Sequence, residues 1–458
     1  MKLIRTTLLL TLLATVARAQ SWDVAFAQRG PNGPVSAIAA HAGRIYIGGE
    51  FTEVDGVAAR NVAVFDGTRW SALGDGVDDR VNAIAVTDDG VYVGGEFNMV
   101  GTTPIRGLAL YSGGQWSSLA TAEIVIDGSV NALAIAGDDL FVGGSFALSI
   151  DGAREQAIAI LSLRDRTWRG LGGGVRVRGA SWGEVLAIAA NERYAYVAGL
   201  FSFVNIGGAE IESPGIARWD RQLGAWDALG GIEPIEPDAL EVARAVAIDG
   251  EQVWALGDFR AIDGVEADGI ARFDESRDAW EDVDLSGLSF GTAVAARSAT
   301  VYAANASSLV FPGDALVTRS GSGEWRESGA AIKGSIYAVT YAPNGDLYVG
   351  GEFDTARGAV VRNIIRMKAA PGGADNGELA STPMIRSIDN GGLTLLLPDG
   401  VAGDAHVIVH DLLGREIVRY ALGVTRGLRH LDLPATSRGA YLVSVRLGDR
   451  VETIVIGR

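Results

Sequence analysis

Residues 179–183 read Gly-Ala-Ser-Trp-Gly and so fit G-x-S-x-G, the turn that raises a serine nucleophile where a histidine and an acid stand beside it. That chemistry needs a strand-to-helix elbow, and here the motif sits in a Gly/Ser/Arg-rich loop among strand-like segments. His41 is the only histidine before His406, and it falls at a turn expected on the opposite side from Ser181. No triad is therefore expected, and no catalytic residue is assigned. There is no Gly-Lys-Ser/Thr phosphate loop and no spaced aspartate series of the EF-hand kind, so neither a metal site nor a cofactor is implied. Acids are abundant, with 56 Asp and Glu, and a hydrolase or lyase site built from two carboxylates stays open.

A second set of charges is ordered by spacing. Glu50 and Arg60, Glu96 and Arg106, and Glu352 and Arg362 each stand ten positions apart after a Gly-Gly pair. Matching acid and base in this way suggests structural ion pairs across the open end of a hairpin. A ring of carboxylates that gathers cations is the functional alternative, but it would leave the arginines unexplained. A third set lies in long polar stretches: Arg176, Arg178, Trp182, Asn205, Glu210, Glu233 and Glu236. These are the candidate ligand-binding residues, with Trp182 the foremost because it stands outside every repeat described next.

What must position these residues is a repeat. Residues 81–97, VNAIAVTDDGVYVGGEF, read as two alternating strands with a turn at Asp88-Asp89-Gly90. Copies begin at Val35, Val130, Val185, Arg244, Thr292 and Ile336, giving seven units at a period near 50 residues. Each continues into a third strand, often with an aromatic (Phe65, Tyr111, Trp219, Phe273), and an outer strand with a tryptophan (Trp70, Trp116, Trp168, Trp226, Trp280, Trp325). The seventh unit lacks that tryptophan, and Trp22 would supply it if the N-terminal strand closed the ring as the outermost strand of the last blade. The Gly pair is weakened in the fourth, fifth and sixth units, at Ala198-Gly199, Leu256-Gly257 and Ala304-Asn305. The expected fold is all-β, a seven-bladed β-propeller of four-stranded blades over 20–368.

The Gly-Gly, aromatic and tryptophan pattern resembles the kelch and galactose-oxidase-like propellers. Galactose oxidase relatives use copper with a cysteine-linked tyrosine, and a chain without cysteine lacks that set. In such a blade the first-to-second and third-to-fourth connections share one face and are short here. The second-to-third connections and the inter-blade links share the other face and are long, above all around blades three to five. Net charge is −17 with no basic cluster, which excludes nucleic acid as an expected partner.

Both ends read as export signals. Residues 1–19 have a basic start, an apolar run over 8–16 and Ala17-Arg18-Ala19, the pattern of a signal peptide, and no later stretch is long and apolar enough for a membrane span. Residues 369–383 have linker composition, and 384–458 alternate as a small β-sandwich. There, Asp411 to Arg415 (Asp-Leu-Leu-Gly-Arg, with Gly414 before the arginine) and Gly439-x-Tyr441 resemble the type A C-terminal sorting domain of type IX secretion cargo. That resemblance implies passage through the periplasm, recognition by the outer-membrane translocon, and cleavage by a sortase that releases the cargo or anchors it at the surface. The expected product is a secreted or surface binding module for a glycan or a protein. An extracellular carbohydrate-active hydrolase or lyase and a protein–protein scaffold are the alternatives.

Overall fold

The computed structural model describes residues 21–369 apart from 122–123, 125, 151, 207–208, 236–239, 284–290 and 306–314, together with the backbone of seven strands between 384 and 457. The expected signal peptide and the segment 370–383 lie outside the described residues. The chain separates into two compact units, Met1–Gly372 and Gly373–Arg458.

The first unit is a ring of seven blades, each four antiparallel strands. Blade one runs Val35–His41, Arg44–Gly49, Val62–Phe65 and Trp70–Ala72 from the axis outwards. The later inner strands are Val81–Thr87, Ser129–Ala136, Glu184–Ala190, Val242–Asp249, Gly291–Arg297 and Lys333–Tyr341. Each inner strand packs beside those of both neighbours, and the seventh meets the first. The degenerate sixth unit still forms four strands, with Thr300–Asn305, Leu316–Ser320 and Arg326–Glu327 outside its inner one.

Closure runs through the N-terminus. Ser21–Asp23 pairs antiparallel with Ile364–Lys368, so that Trp22 stands opposite Met367 at the rim of blade seven. Trp22 Nε1 donates to Ser328 O at 3.2 Å, as Trp168, Trp226, Trp280 and Trp325 donate to carbonyls before their own blades, at Leu119, Leu171, Leu229 and Val283. The tryptophan thus ties each of these outer strands to the preceding blade. Joining first and last strands leaves no open edge in the ring.

The core is seven apolar clusters, one between each pair of neighbouring blades. Their geometry explains the Gly pair. A Cβ on Gly94 would fall 2.5 Å from Cγ1 of Val130 in the next blade, and one on Gly95 would fall 2.1 Å from the Arg80 carbonyl oxygen. The first glycine makes room for the next blade's valine and the second for backbone. Where the motif weakens, the neighbour changes with it. Leu256 occupies the first-glycine position of blade five, and its partner in blade six is Gly291, whose Cβ would lie 3.0 Å from Leu256 Cδ2. The large and small residues have exchanged sides, and the volume is conserved.

In the second unit, Met384–Asp389, Gly392–Leu397 and Gly427–Asp432 form one sheet. Glu416–Ala421, Ala405–Asp411, Ala440–Leu447 and Arg450–Gly457 form the other. Both are antiparallel, and the strand at 384–389 adds one to the six that alternation alone suggests.

Candidate functional site

The long connections are not loose loops. Short strands in the inter-blade links pair with hairpins that rise between the second and third strands of the next blade. Val175–Arg176 pairs with Phe203–Ile206, which pairs with Ala209–Glu212, and Ile232–Glu233 pairs with Ala261–Ile262, which pairs with Val265–Glu266. Single bridges, Pro31 with Val54 and Val77 with Val100, repeat the arrangement at blades one and two. Among the described residues, the long-loop face at blades one, two, four and five is thus built of small sheets and bridges on the ring. The sheet at blade four has the longest hairpin strands of these.

Beside it, the second and third strands of blade three, Asp139–Ile150 and Ala153–Ser162, extend well past the ring. Between that protruding hairpin and the blade-four sheet lies a cavity of about 650 Å³. Its wall is Ala153, Arg154, Glu155 and Gln156 from blade three, its base Gly172 and Gly173 from the link, and its far side Arg176, Ser181 and Asn205. Close approach fixes the link: Gly174 has φ +73°, and a Cβ there would fall 1.9 Å from the Gln156 carbonyl oxygen.

Glu155 is buried (3% exposed), and its carboxylate accepts the N–H of Leu171 at 2.9 Å and of Gly173 at 3.0 Å. Burial pushes its pKa up, against the pull of these two donors. Gln156 Oε1 accepts from Arg154 Nε at 2.6 Å, while the terminal nitrogens of Arg154 have no acceptor among the described residues. Arg176 pairs with Glu210 across the sheet, and its Nε is buried without a hydrogen-bond partner. Arg178 pairs with Glu212 and lies 4.8 Å from the centroid of the Phe203 ring.

Arg176, Arg178, Asn205 and Glu210 are thus brought together on one small sheet. Trp182 is 47% exposed on the turn closed by Val177 N–H to Trp182 O (2.8 Å), next to Ser181 at the cavity. Glu233 is separate, paired with Arg260 on the next small sheet, and Glu236 lies outside the described residues. Arg154, Glu155 and Gln156 are the residues that sequence reasoning missed. The available signal was the polar triplet Arg-Glu-Gln at the start of a strand that continues as the apolar run Ala157 to Leu161. Ser181 has no histidine near it: His41 ends the inner strand of blade one and bonds Asp88 at 2.8 Å, at the short-turn face.

The expected ion pairs of the repeat do not form. Among the described residues Glu50 pairs with Arg80 at 3.1 Å and Arg362 with Glu53 at 3.9 Å, and neither Arg60 nor Arg106 has an ionic partner. The residue after each arginine closes the loop instead. Asn61, at φ +63°, accepts the Phe51 N–H on its side-chain oxygen (2.9 Å) and donates to Val77 O (3.0 Å). Asn363 does the same with Phe353 and Pro31, and Gly107 takes the same left-handed position in blade two. The ten-residue spacing marks this clasp, not a salt bridge.

Glu50, Glu96 and Glu352 instead belong to a network at the long-loop mouth of the axis. Every inner strand carries a β-bulge at its second repeat position, namely Ser36, Asn82, Asn131, Leu186, Arg244, Thr292 and Tyr337. Asn82 Nδ2 donates to Asn131 Oδ1 (3.2 Å), Asn131 Nδ2 to Glu184 (2.9 Å) and Tyr337 OH to Glu352 (3.2 Å). Among the described residues no group of three or more His, Cys, Asp or Glu is arranged to hold a metal, and no helix is long and apolar enough to cross a membrane.

In the second unit Asp411 and Tyr441 stand opposite each other in register on adjacent strands. Gly414, Arg415 and Gly439 lie outside the described residues.

A family described as the Rax2 C-terminal beta propeller domain matches residues 63–189. No curated protein matches the chain. Among solved structures, the chain is similar to the Neurospora crassa Pan2 WD40 domain at 10% identity, over 74% of this chain and 90% of that one, with a TM-score of 0.42. A structural genomics protein of unknown function from Bacteroides thetaiotaomicron VPI-5482 matches at 11% identity over 74% and 69% (TM-score 0.39). The computationally designed Ika4 protein matches at 15% over 45% and 98% (TM-score 0.28).

Proposed function

We propose that this chain is an exported binding module of kelch-like repeat type, in which the propeller holds a ligand on its long-loop face and the C-terminal unit is a type IX secretion address. The observation that carries the binding reading is the cavity of about 650 Å³ between blades three and four. It has the volume of ordinary small-ligand sites and is walled by secondary structure on both sides. The strands that carry Arg154, Arg176 and Asn205 are fixed by main-chain pairing, so little backbone ordering is left to be done on binding.

A catalytic reading has less support. Both oxygens of Glu155 are occupied by backbone donors and Glu210 is held by Arg176, which leaves no pair of free carboxylates at the cavity among the described residues. A protein-docking reading draws on Trp182, Ile235 and Leu240, which are exposed on the links around blade four. A glycan array probed with the full chain tests the binding reading. Saturable binding by the wild type, weakened by Trp182→Ala, supports it; no binding to any glycan moves the function to protein docking. For the export reading, the chain is expressed in a type IX-competent bacterium with and without 384–458. Retention of the truncated form inside the cell is the expected result, and equal release of both forms would refute the address.

A further inference from the structure

The cavity gathers hydrogen-bond donors that its own acids do not use. The chain carries a net charge of −17, yet two guanidinium groups, Arg154 and Arg176, face this one space. Among the described residues the acids near it are already engaged: Glu155 by two backbone N–H groups, Glu210 by Arg176. The terminal nitrogens of Arg154 and the side chains of Ser181 and Asn205 have no hydrogen-bond partner among the described residues, and Arg176 Nε is buried and unpaired. Unused donors around a space this size call for an acceptor-rich, anionic ligand.

The rest of the lining narrows the class. Ala153 is the only apolar residue type besides glycine in the lining, so the cavity offers methylene stems and backbone, with no aromatic or branched aliphatic side chain to select an apolar ligand. The base is the Gly172-Gly173 backbone, which lets a flat, hydroxyl-bearing ring approach closely. Trp182, the residue after Ser181 in the chain, is half-exposed, and an indole so placed suits the C–H face of a sugar.

Resting on the reading of this cavity as a glycan site, we infer that it selects an acidic oligosaccharide, with a uronate carboxylate bound by Arg154 and the sugar hydroxyls by Ser181 and Asn205. Arg154 is free to form a two-pronged bond to a carboxylate, because only its Nε is engaged. Arg176 is neutralised by Glu210, so Arg154 is the group that supplies the positive charge for the carboxylate.

The test is calorimetric titration of the full chain with oligogalacturonate, oligomannuronate, and neutral oligomers of galactose and mannose of the same length. Uronate oligomers are expected to bind at least about tenfold more tightly than their neutral counterparts. Arg154→Gln should remove that preference while its melting temperature stays at the wild-type value, and Arg154→Lys should keep part of it. Equal affinity for neutral and acidic oligomers, or a preference that survives Arg154→Gln, overturns the uronate assignment and leaves the cavity a glycan site. Binding by none of the oligomers overturns the glycan reading and the uronate assignment with it.

Discussion

Replacing Asp23 with Asn should loosen the ring at its one non-consecutive seam. Asp23 is the last residue of the N-terminal strand, and its carboxylate has three jobs. It accepts the Phe26 N–H at 3.1 Å, capping the short helix Val24–Ala27, and it accepts from Arg366 at 2.5 Å and Lys368 at 3.0 Å on the strand it closes against. Burial works to raise its pKa, but the Arg366 and Lys368 bonds outweigh that and hold it at about 2, against an ordinary value of 3.8. At 1.36 kcal/mol per pKa unit this difference is worth about 2 kcal/mol of closure. Because the folded value is depressed, the contribution is fully present above pH 3.8 and is lost as pH falls through about 2. Asn keeps the helix cap and the shape but leaves the Arg366 guanidinium, which stacks 4.7 Å from the centroid of the Phe26 ring, without its counter-charge. Hydrogen exchange at pH 6 is the assay: amides of 21–27 and 364–368 should exchange about 30-fold faster in Asp23→Asn, with those of blades two to four unchanged. In acid unfolding, the gap between wild type and variant should close as pH approaches 2. Identical exchange at the seam, or a gap that persists at pH 2, would refute the electrostatic account of closure.

Two further predictions concern the repeat frame. Gly94→Leu should destabilise by about 3 kcal/mol or more, because the new side chain has no space against Val130, while Gly94→Leu with Val130→Gly should recover most of the loss by copying the Leu256–Gly291 arrangement. Chemical denaturation of the four members of the cycle measures this; additive losses would show that the exchange of volumes is not what fits blade five to blade six. Arg60→Ala should leave stability within about 0.5 kcal/mol, since the residue has no ionic partner, whereas Asn61→Ala should cost about 2 kcal/mol or more. The larger cost reflects two lost hydrogen bonds and a left-handed φ of +63° that alanine adopts only with strain. Denaturation midpoints decide, and equal effects at the two positions would overturn the clasp.

The blade frame was legible because its constraints are local and repeated seven times. Alternation gave the strands, Gly-Gly marked close approach, and a missing tryptophan in the last unit pointed to Trp22, which the structure places there. The weakened Gly pairs were visible as departures, but their meaning was not. Leu256 looks like a loss of the motif until Gly291, 35 residues later, is seen to receive it. The Glu–Arg spacing misled for a related reason. Covariation of type and distance reports that two positions belong to one device, and the device here turned on Asn61, Gly107 and Asn363, whose role is a backbone conformation and not a charge. Arg176, Arg178, Asn205 and Glu210 were found because they lie in two over-long stretches, 172–184 and 201–214; Arg154 and Glu155 were not, because a cavity wall borrowed from another blade leaves no signature in spacing.

The two polar clusters on the long-loop face differ in what they leave undone. At the axis, the bulged residues answer one another: Asn82 bonds Asn131, Asn131 bonds Glu184, and Arg244 meets Asp258 with Nε to Oδ2 at 3.0 Å. At these positions donors and acceptors already meet, and a ligand there would have to displace bonds already made. Between blades three and four the symmetry is broken by two insertions, the extended hairpin of blade three and the sheet over blade four. Their facing groups come from unrelated parts of the repeat and do not satisfy one another, and the unpaired Arg176 Nε is the residue of that mismatch. The bulged positions engage one another, whereas the interrupted part of the repeat leaves donors unused, and for that reason the proposed binding site lies off the axis.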